Sequence, residues 1–324
     1  MNISVLGCGR WGSFIAWYLA QRGNCVTNWG PEGDASYEVL KNTGRNEYVS
    51  LDERITLTCD LEQAVTTAEI IVISISSQGL RGFMQRIVKY PVQDKVFVLC
   101  MKGIETGTGK RLSEILVESG ISSDKIAVWV GPGHIQSFVQ GVPNCMVIDS
   151  ENAELKKQLV DQFKSDLIRF YYGNDLLGTE IGAAAKNVMG IAAGILDVVC
   201  VPLKGPLMSR GAREVARLIK AMGGNELSAY GLAHLGDYET TLFSRYSHNR
   251  MYGEMLAKGQ RFEKLAEGVA TSEAMRYLGQ KYGVELPITE AVYNVCYKEG
   301  DDAELCKQEI AKLFQRSTRA ELDD

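Results

Sequence analysis

The chain has 324 residues, with 35 Lys and Arg against 40 Asp and Glu, a formal net charge of −5 with histidine neutral. That length favours two cores over one, and 45% hydrophobic with 23% charged residues is an ordinary globular composition. Mild acidity argues against nucleic acid or an anionic membrane surface as the partner. The 33 glycines against seven prolines point to turns and close backbone packing rather than disorder.

Eight cysteines are scattered, the nearest pair (Cys296 and Cys306) ten apart, so no C-x-x-C metal or redox motif is present. Several lie in apolar runs such as Phe97-Val98-Leu99-Cys100-Met101, where a free thiol behaves as a small hydrophobe. Three histidines make a His-rich metal site improbable, and no metal is expected. Met1 leads straight into a strand-like run without signal-peptide features. No apolar stretch is expected to approach the roughly 18 residues that span a membrane. A cytoplasmic location, with neither membrane nor nucleic-acid partner, is the expectation.

In chain order, apolar or β-branched runs predict strands at Ile3–Leu6, Cys25–Trp29, Ile55–Thr58, Ile70–Ile75, Val96–Met101, Ala127–Val130, Cys145–Ile148 and Leu167–Tyr172. Helical spacing separates most of them, at Trp11–Arg22, Leu61–Thr67, Leu80–Val88 and Arg111–Glu118. Repeated strand–helix–strand with nearly continuous apolar strands predicts an α/β fold, a parallel sheet covered on both faces. Beyond the Gly173-Asn174-Asp175 turn the spacing becomes helical: Leu176–Ala193, Pro206–Met222, Met251–Leu256, Thr271–Tyr282, Thr289–Tyr297 and Ala303–Phe314. The expected division is 1–173, a doubly wound nucleotide-binding domain, and 174–324, an all-α domain.

Gly7-Cys8-Gly9-Arg10-Trp11-Gly12 is a G-x-G-x-x-G between a strand and a helix, the setting in which that motif binds a dinucleotide. Gly7 permits the turn, Gly9 lets backbone approach a pyrophosphate, and Gly12 lets helix and strand pack closely. Glu32, 20 residues past Gly12, is a candidate for the ribose 2′-hydroxyl, although it overshoots the strand end. No Arg or Lys lies between Val26 and Val39 to pair a 2′-phosphate. NAD(H) is favoured, and NADP(H) stays open.

Lys102 follows an apolar strand, at a carboxyl end where such sheets bind ligands. Lys186, with Asn187, interrupts a helix of small apolar residues from Glu180 to Gly194, so it needs partners or a polar cleft. A desolvated lysine beside a second cation has a lowered pKa and suits proton transfer near neutrality. Three further segments carry polar chemistry: Gly131–His134, Leu235–Tyr238 and Ser247–Arg250. Each is also compatible with simple turn and capping chemistry.

Together these motifs resemble bacterial NAD(P)-dependent sn-glycerol-3-phosphate dehydrogenase over nearly the whole chain. The resemblance rests on Gly7–Gly12 with Trp11, Met101-Lys102-Gly103, Gly131-Pro132 with His134, Glu180-Ile181-Gly182 through Lys186-Asn187, and Arg210-Gly211. It continues through Leu235-Gly236-Asp237, Ser247-His248-Asn249-Arg250, Glu267-Gly268 and Leu286-Pro287-Ile288. It implies a Rossmann-type domain followed by a helical substrate domain, and hydride transfer between a nicotinamide and C2 of dihydroxyacetone phosphate or glycerol 3-phosphate. Lys186 would be the proton donor or acceptor. Lys102, Gly131, Gly133, Asp237, Ser247, His248 and Asn249 would join it at the substrate, with Asn187 orienting the cluster. Gly7, Gly9, Arg10, Trp11, Gly12, Lys102, Ile135, His248 and Glu267 would meet the cofactor. The implied assembly is a homodimer, and the implied role is to make the phospholipid backbone. Two positions depart from the common pattern: His248 stands where Arg is usual, and Gly133 where Ser or Thr is usual. Both remove groups that hold an anion, so a related reductase of another small phosphorylated or carboxylated keto compound stays open.

Overall fold

The computed structural model describes residues 1–297, 302–318, 320 and 321. Eight strands form one sheet: β1 (Asn2–Leu6), β2 (Cys25–Trp29), β3 (Ile55–Thr58), β4 (Ile70–Ile73), β5 (Val96–Leu99), β6 (Ile126–Val130), β7 (Asn144–Asp149) and β8 (Ile168–Tyr172). Their order is β3-β2-β1-β4-β5-β6-β7-β8, the first six in the doubly wound arrangement that opens a crevice beside β1 and β4. β4 and β6 are buried at every residue, because helices cover both faces. β8, at the edge, exposes Arg169, Tyr171 and Tyr172 and buries Ile168 and Phe170, the alternation of a strand with one wet face.

The helices between strands are α1 (Arg10–Gln21), α2 (Ala35–Thr43), α3 (Leu61–Thr67), α4 (Leu80–Ile87), α5 (Leu112–Glu118), α6 (Ile135–Val139) and α7 (Ala153–Phe163). Beyond Tyr172 come α8 (Leu176–Val199), α9 (Lys204–Ala221), α10 (His248–Ala257), α11 (Glu267–Tyr282), α12 (Pro287–Tyr297) and α13 (Asp302–Phe314). Asp34 caps α2 by accepting from the Ser36 and Tyr37 N–H groups, and Asn152 caps α7 in the same way. Sequence periodicity had not picked out α2, α6 or α7. The caps were the available signal for α2 and α7.

Two expectations need correction. The sheet is not wholly parallel, since β7 runs antiparallel to β6 and pairs Val130 with Val147. The β6–β7 connection carries only the five-residue α6, about 7.5 Å long at 1.5 Å per residue. That is too short to carry the chain back along a strand of about 16 Å, so the chain re-enters from the same end. The second correction concerns hydropathy. α8 contains an 18-residue window of mean hydropathy 1.4, long and apolar enough to cross a membrane, with 83% of that window buried within the protein.

That burial makes α8 the spine of the helical half. It packs against α9, α10, α11 and α12, and its small residues bring backbones together. A Cβ at Gly194 would overlap the Arg250 carbonyl oxygen, and one at Gly253 would overlap that of Ile191. α8 and α10 therefore lie groove to groove, which sets Asn249 against Asn187. Gly253→Ala should cost about 1–3 kcal/mol through overpacking, seen as a lower urea midpoint at unchanged slope. Gly82→Ala, where an added Cβ meets nothing within 4 Å, should leave the midpoint unchanged or raised.

Candidate active site

Three elements converge on one carboxylate. Lys102 lies just past β5, Lys186 projects from α8, and Asp237 ends a 3-10 turn spanning Leu235–Asp237. The Asp237 Oδ2 atom accepts from Lys102 Nζ at 2.6 Å and lies 3.2 Å from Lys186 Nζ. Lys102 also donates to the Gly131 carbonyl at 2.9 Å, tying the loop after β6 to the cluster. Thr241 accepts from Lys186 at 2.9 Å, and Thr240 donates to the other oxygen of Asp237.

Asp237 is 1% exposed. Burial opposes its ionisation, yet the charges of Lys102 and Lys186 outweigh that and hold its pKa below the usual value. Lys186 moves the other way: burial depresses it first, Asp237 pulls it back, Lys102 depresses it again, and it settles at about 8. An amine at that value exists in both protonation states near neutrality, as a reversible proton donor requires.

Asn187 donates to the Lys102 carbonyl at 3.2 Å and accepts from Asn249 at 3.0 Å. The Gly268 N–H completes the chain by donating to Asn249 at 2.9 Å. Asn249 is thus engaged by α8 and α11. Ser247 caps α10, accepting from the Arg250 N–H at 3.3 Å.

The glycine loop has the predicted form. Gly7 has φ +116°, and a Cβ at Gly12 would overlap its carbonyl oxygen. An added Cβ at Gly9 meets nothing within 4 Å, which leaves room for close approach. Gly9 caps α1 without a side chain, so the first N–H groups of that helix face outward for a pyrophosphate. These features fit a dinucleotide cofactor. Trp11 stacks on Phe14 at 5.2 Å, and Ile135 is buried at the start of α6. Glu32 is exposed beyond the end of β2. Glu267, the first residue of α11, accepts from the Ser77 N–H at 3.2 Å and from its hydroxyl, joining α11 to the crevice.

The two departures have physical settings. Gly133 has φ +155°, and a Cβ there would overlap the Phe138 ring, so a hydroxyl side chain at 133 would need that ring to move. His248 lies against Arg10, its Nδ1 3.5 Å from a guanidinium nitrogen. Burial and then Arg10 push its pKa down. The guanidinium at this point comes from position 10.

Sequence reasoning missed Thr240, Thr241 and Ser77. The threonines follow Asp237 directly, but a π-helical turn at Glu239–Phe243 aims them, and such turns have no periodicity signature. His234 is structural, bonding the Gly182 carbonyl and the Tyr238 hydroxyl, with burial lowering its pKa to about 4. His134 stands edge-on to Tyr246, ring centroids 5.7 Å apart, and its Nε2 is buried without a partner.

Two family descriptions match. That of the NAD-dependent glycerol-3-phosphate dehydrogenase N-terminus covers residues 2–156, and that of its C-terminus covers residues 175–307. A glycerol-3-phosphate dehydrogenase [NAD(P)+] from Prosthecochloris aestuarii is 33% identical, with 99% of this chain and 100% of that protein covered. Its counterpart from Moorella thermoacetica is 35% identical, with 99% and 98% covered. The crystal structure of glycerol-3-phosphate dehydrogenase from Coxiella burnetii superposes with a TM-score of 0.87 at 25% identity, covering 97% of this chain and 99% of that one.

Proposed function

Because the chain belongs to the NAD-dependent glycerol-3-phosphate dehydrogenase family, we propose that Lys186 moves the proton that accompanies reversible reduction of dihydroxyacetone phosphate to sn-glycerol 3-phosphate. The protein is an NAD(P)-dependent glycerol-3-phosphate dehydrogenase. When bound, the nicotinamide supplies or accepts the hydride at C2. In the reducing direction Lys186, as the ammonium, gives a proton to the developing alkoxide; in the oxidising direction, as the amine, it takes the hydroxyl proton. Lys102 adds a fixed positive charge that favours a negatively charged oxygen and an anionic substrate. Asp237 keeps both lysines in place. The observation that carries this reading is the buried Lys186–Asp237–Lys102 contact at the carboxyl end of the sheet.

In the same reading Gly131, Gly133, Ser247, His248 and Asn249 border the substrate. Gly7, Gly9, Arg10, Trp11, Gly12, Lys102, Ile135, His248 and Glu267 border the cofactor. Residues 1–173 and 174–324 serve as cofactor and substrate domains. A cytoplasmic homodimer is proposed too, its contact around the end of α8. Val198, Val201 and Phe243 are exposed there, and Lys204 lies over the Phe243 ring while pairing with Asp197.

Lys186→Ala should lower kcat by about 10²–10⁴ while NADH binding, read by fluorescence, stays close to wild type. Retention of more than about a tenth of kcat would place the proton transfer elsewhere. Cofactor choice should lean to NADH, since the segment from Val26 to Val39, which holds the end of β2, carries no Arg or Lys to pair a 2′-phosphate. The ratio of kcat/KM for NADH over NADPH should exceed one, and a ratio below one contradicts the reading.

A further inference from the structure

The loop after β6 carries a group that the proton-transfer cluster leaves unused. His134 ends the Gly131-Pro132-Gly133-His134 run at the carboxyl end of the sheet. Three residues before it, the Gly131 carbonyl accepts from Lys102 at 2.9 Å, which fixes the loop beside the cluster. The imidazole is half-buried, with Nε2 buried and without a hydrogen-bond partner. Among the described residues only Asn28 Oδ1 shares that condition. Folded proteins pair almost all such atoms, so an orphan of this kind calls for a partner that binds.

The ring spans the seam between the two halves. It stands edge-on to Tyr246 of the helical half, with centroids 5.7 Å apart, and the Tyr246 hydroxyl is itself engaged by Arg245 at 2.9 Å. Burial lowers the His134 pKa first; Glu239 and Asp237 then pull it up more strongly than Lys186 and Lys102 push it down. The ring thus lies within electrostatic reach of the proton donor, on the carboxylate side of the cluster. A neutral imidazole offers one N–H and one lone pair, and a hydroxyl can answer either. A phosphate dianion is repelled there by the two carboxylates. The Lys102, Lys186 and Asp237 side chains are only 15%, 12% and 1% exposed, so the opening that admits a substrate to Lys186 reaches the adjoining ring as well.

We propose that His134 Nε2 binds the free hydroxyl of the hydroxymethyl ketone, the group across the carbonyl carbon from the phosphate ester, and selects substrates that carry it. With the carbonyl carbon at Lys186, its two substituents point apart. The anionic arm goes toward the surplus positive charge, and the uncharged arm reaches the ring beside Glu239 and Asp237. His134 is then a specificity residue, outside the proton transfer itself. The inference deepens the proposed function and rests on it for the identity of the ketone.

The test removes the nitrogen and the hydroxyl separately and together. Wild type, His134→Leu and His134→Phe are assayed with NADH and either dihydroxyacetone phosphate or hydroxyacetone phosphate, in which a methyl replaces the hydroxymethyl group. Wild type should favour dihydroxyacetone phosphate in kcat/KM by about tenfold or more. Both variants should lower kcat/KM for dihydroxyacetone phosphate by about that factor while changing hydroxyacetone phosphate less than about twofold. Their melting temperatures should be level or raised, since Nε2 has no protein partner to lose. A preference that persists in either variant overturns the proposal, as does a wild type without one. Equal losses on both ketones, with a lowered melting temperature, mark a purely structural ring and overturn it too. A wild type that reduces neither ketone refutes the proposed function, and the terminal hydroxyl with it. Intact wild-type turnover of dihydroxyacetone phosphate with equal losses in the variants refutes the inference alone.

Discussion

The structure depends on a buried carboxylate that two lysines share. Asp237 receives Lys102 from the sheet and Lys186 from α8, so one ion cluster fastens the nucleotide-binding half to the helical half. Removing Asp237 from such a cluster leaves two buried lysines without their counter-charge, a loss of about 3–5 kcal/mol. Two cations against one anion also leave the cleft with a net positive charge. Burial first, and Lys102 after it, keep Lys186 near 8 despite the adjacent carboxylate, and the surplus positive charge prepares the cleft for an anionic substrate.

Everything around the cluster serves its placement. α8 is almost wholly apolar and made of small residues, which permits it to run through the centre of its half with α10 pressed against it at Gly194 and Gly253. That contact aligns Asn249 with Asn187, and Asn187 holds the Lys102 carbonyl. Glu180, six residues before Lys186 on α8, is buried and accepts from Arg111, the N-cap of α5, and from Ser113 within it at 2.8 and 2.9 Å, locking the same helix to the sheet's cover. The lysine is therefore positioned by backbone packing and by hydrogen bonds from Glu180 before it and Asn187 after it on the same helix.

Much of this was legible in the residues themselves. The strands were apolar enough to find to within one or two residues, and Lys102 and Lys186 stood out because charges beside apolar runs need a reason, whereas Asp237 lay in a polar segment equally compatible with turn chemistry. Other features depended on lengths and angles that no local pattern encodes. β7 reverses because α6 is short, and its own composition is that of any buried strand. Thr241 reaches Lys186 through a π-helical turn. The contact between Arg10 and His248 joins residues 238 apart in sequence, and no spacing rule brings them together. His248 stood out only as a replacement for the usual Arg; burial and the neighbouring guanidinium lower its pKa, which no sequence pattern shows.

The central claim is that one amine, held near 8 by burial and by Asp237, exchanges the proton in both directions. It is tested most directly by the pH dependence of single-turnover hydride transfer, followed by nicotinamide absorbance in each direction. Ketone reduction needs the ammonium, so its rate should be level below about pH 8 and fall above it. Alcohol oxidation needs the amine, so its rate should climb up to about pH 8 and then level off. Mirror-image profiles sharing that midpoint are the predicted result. Profiles that move in the same direction, or a midpoint near the free-lysine value of about 10.4, would contradict the account.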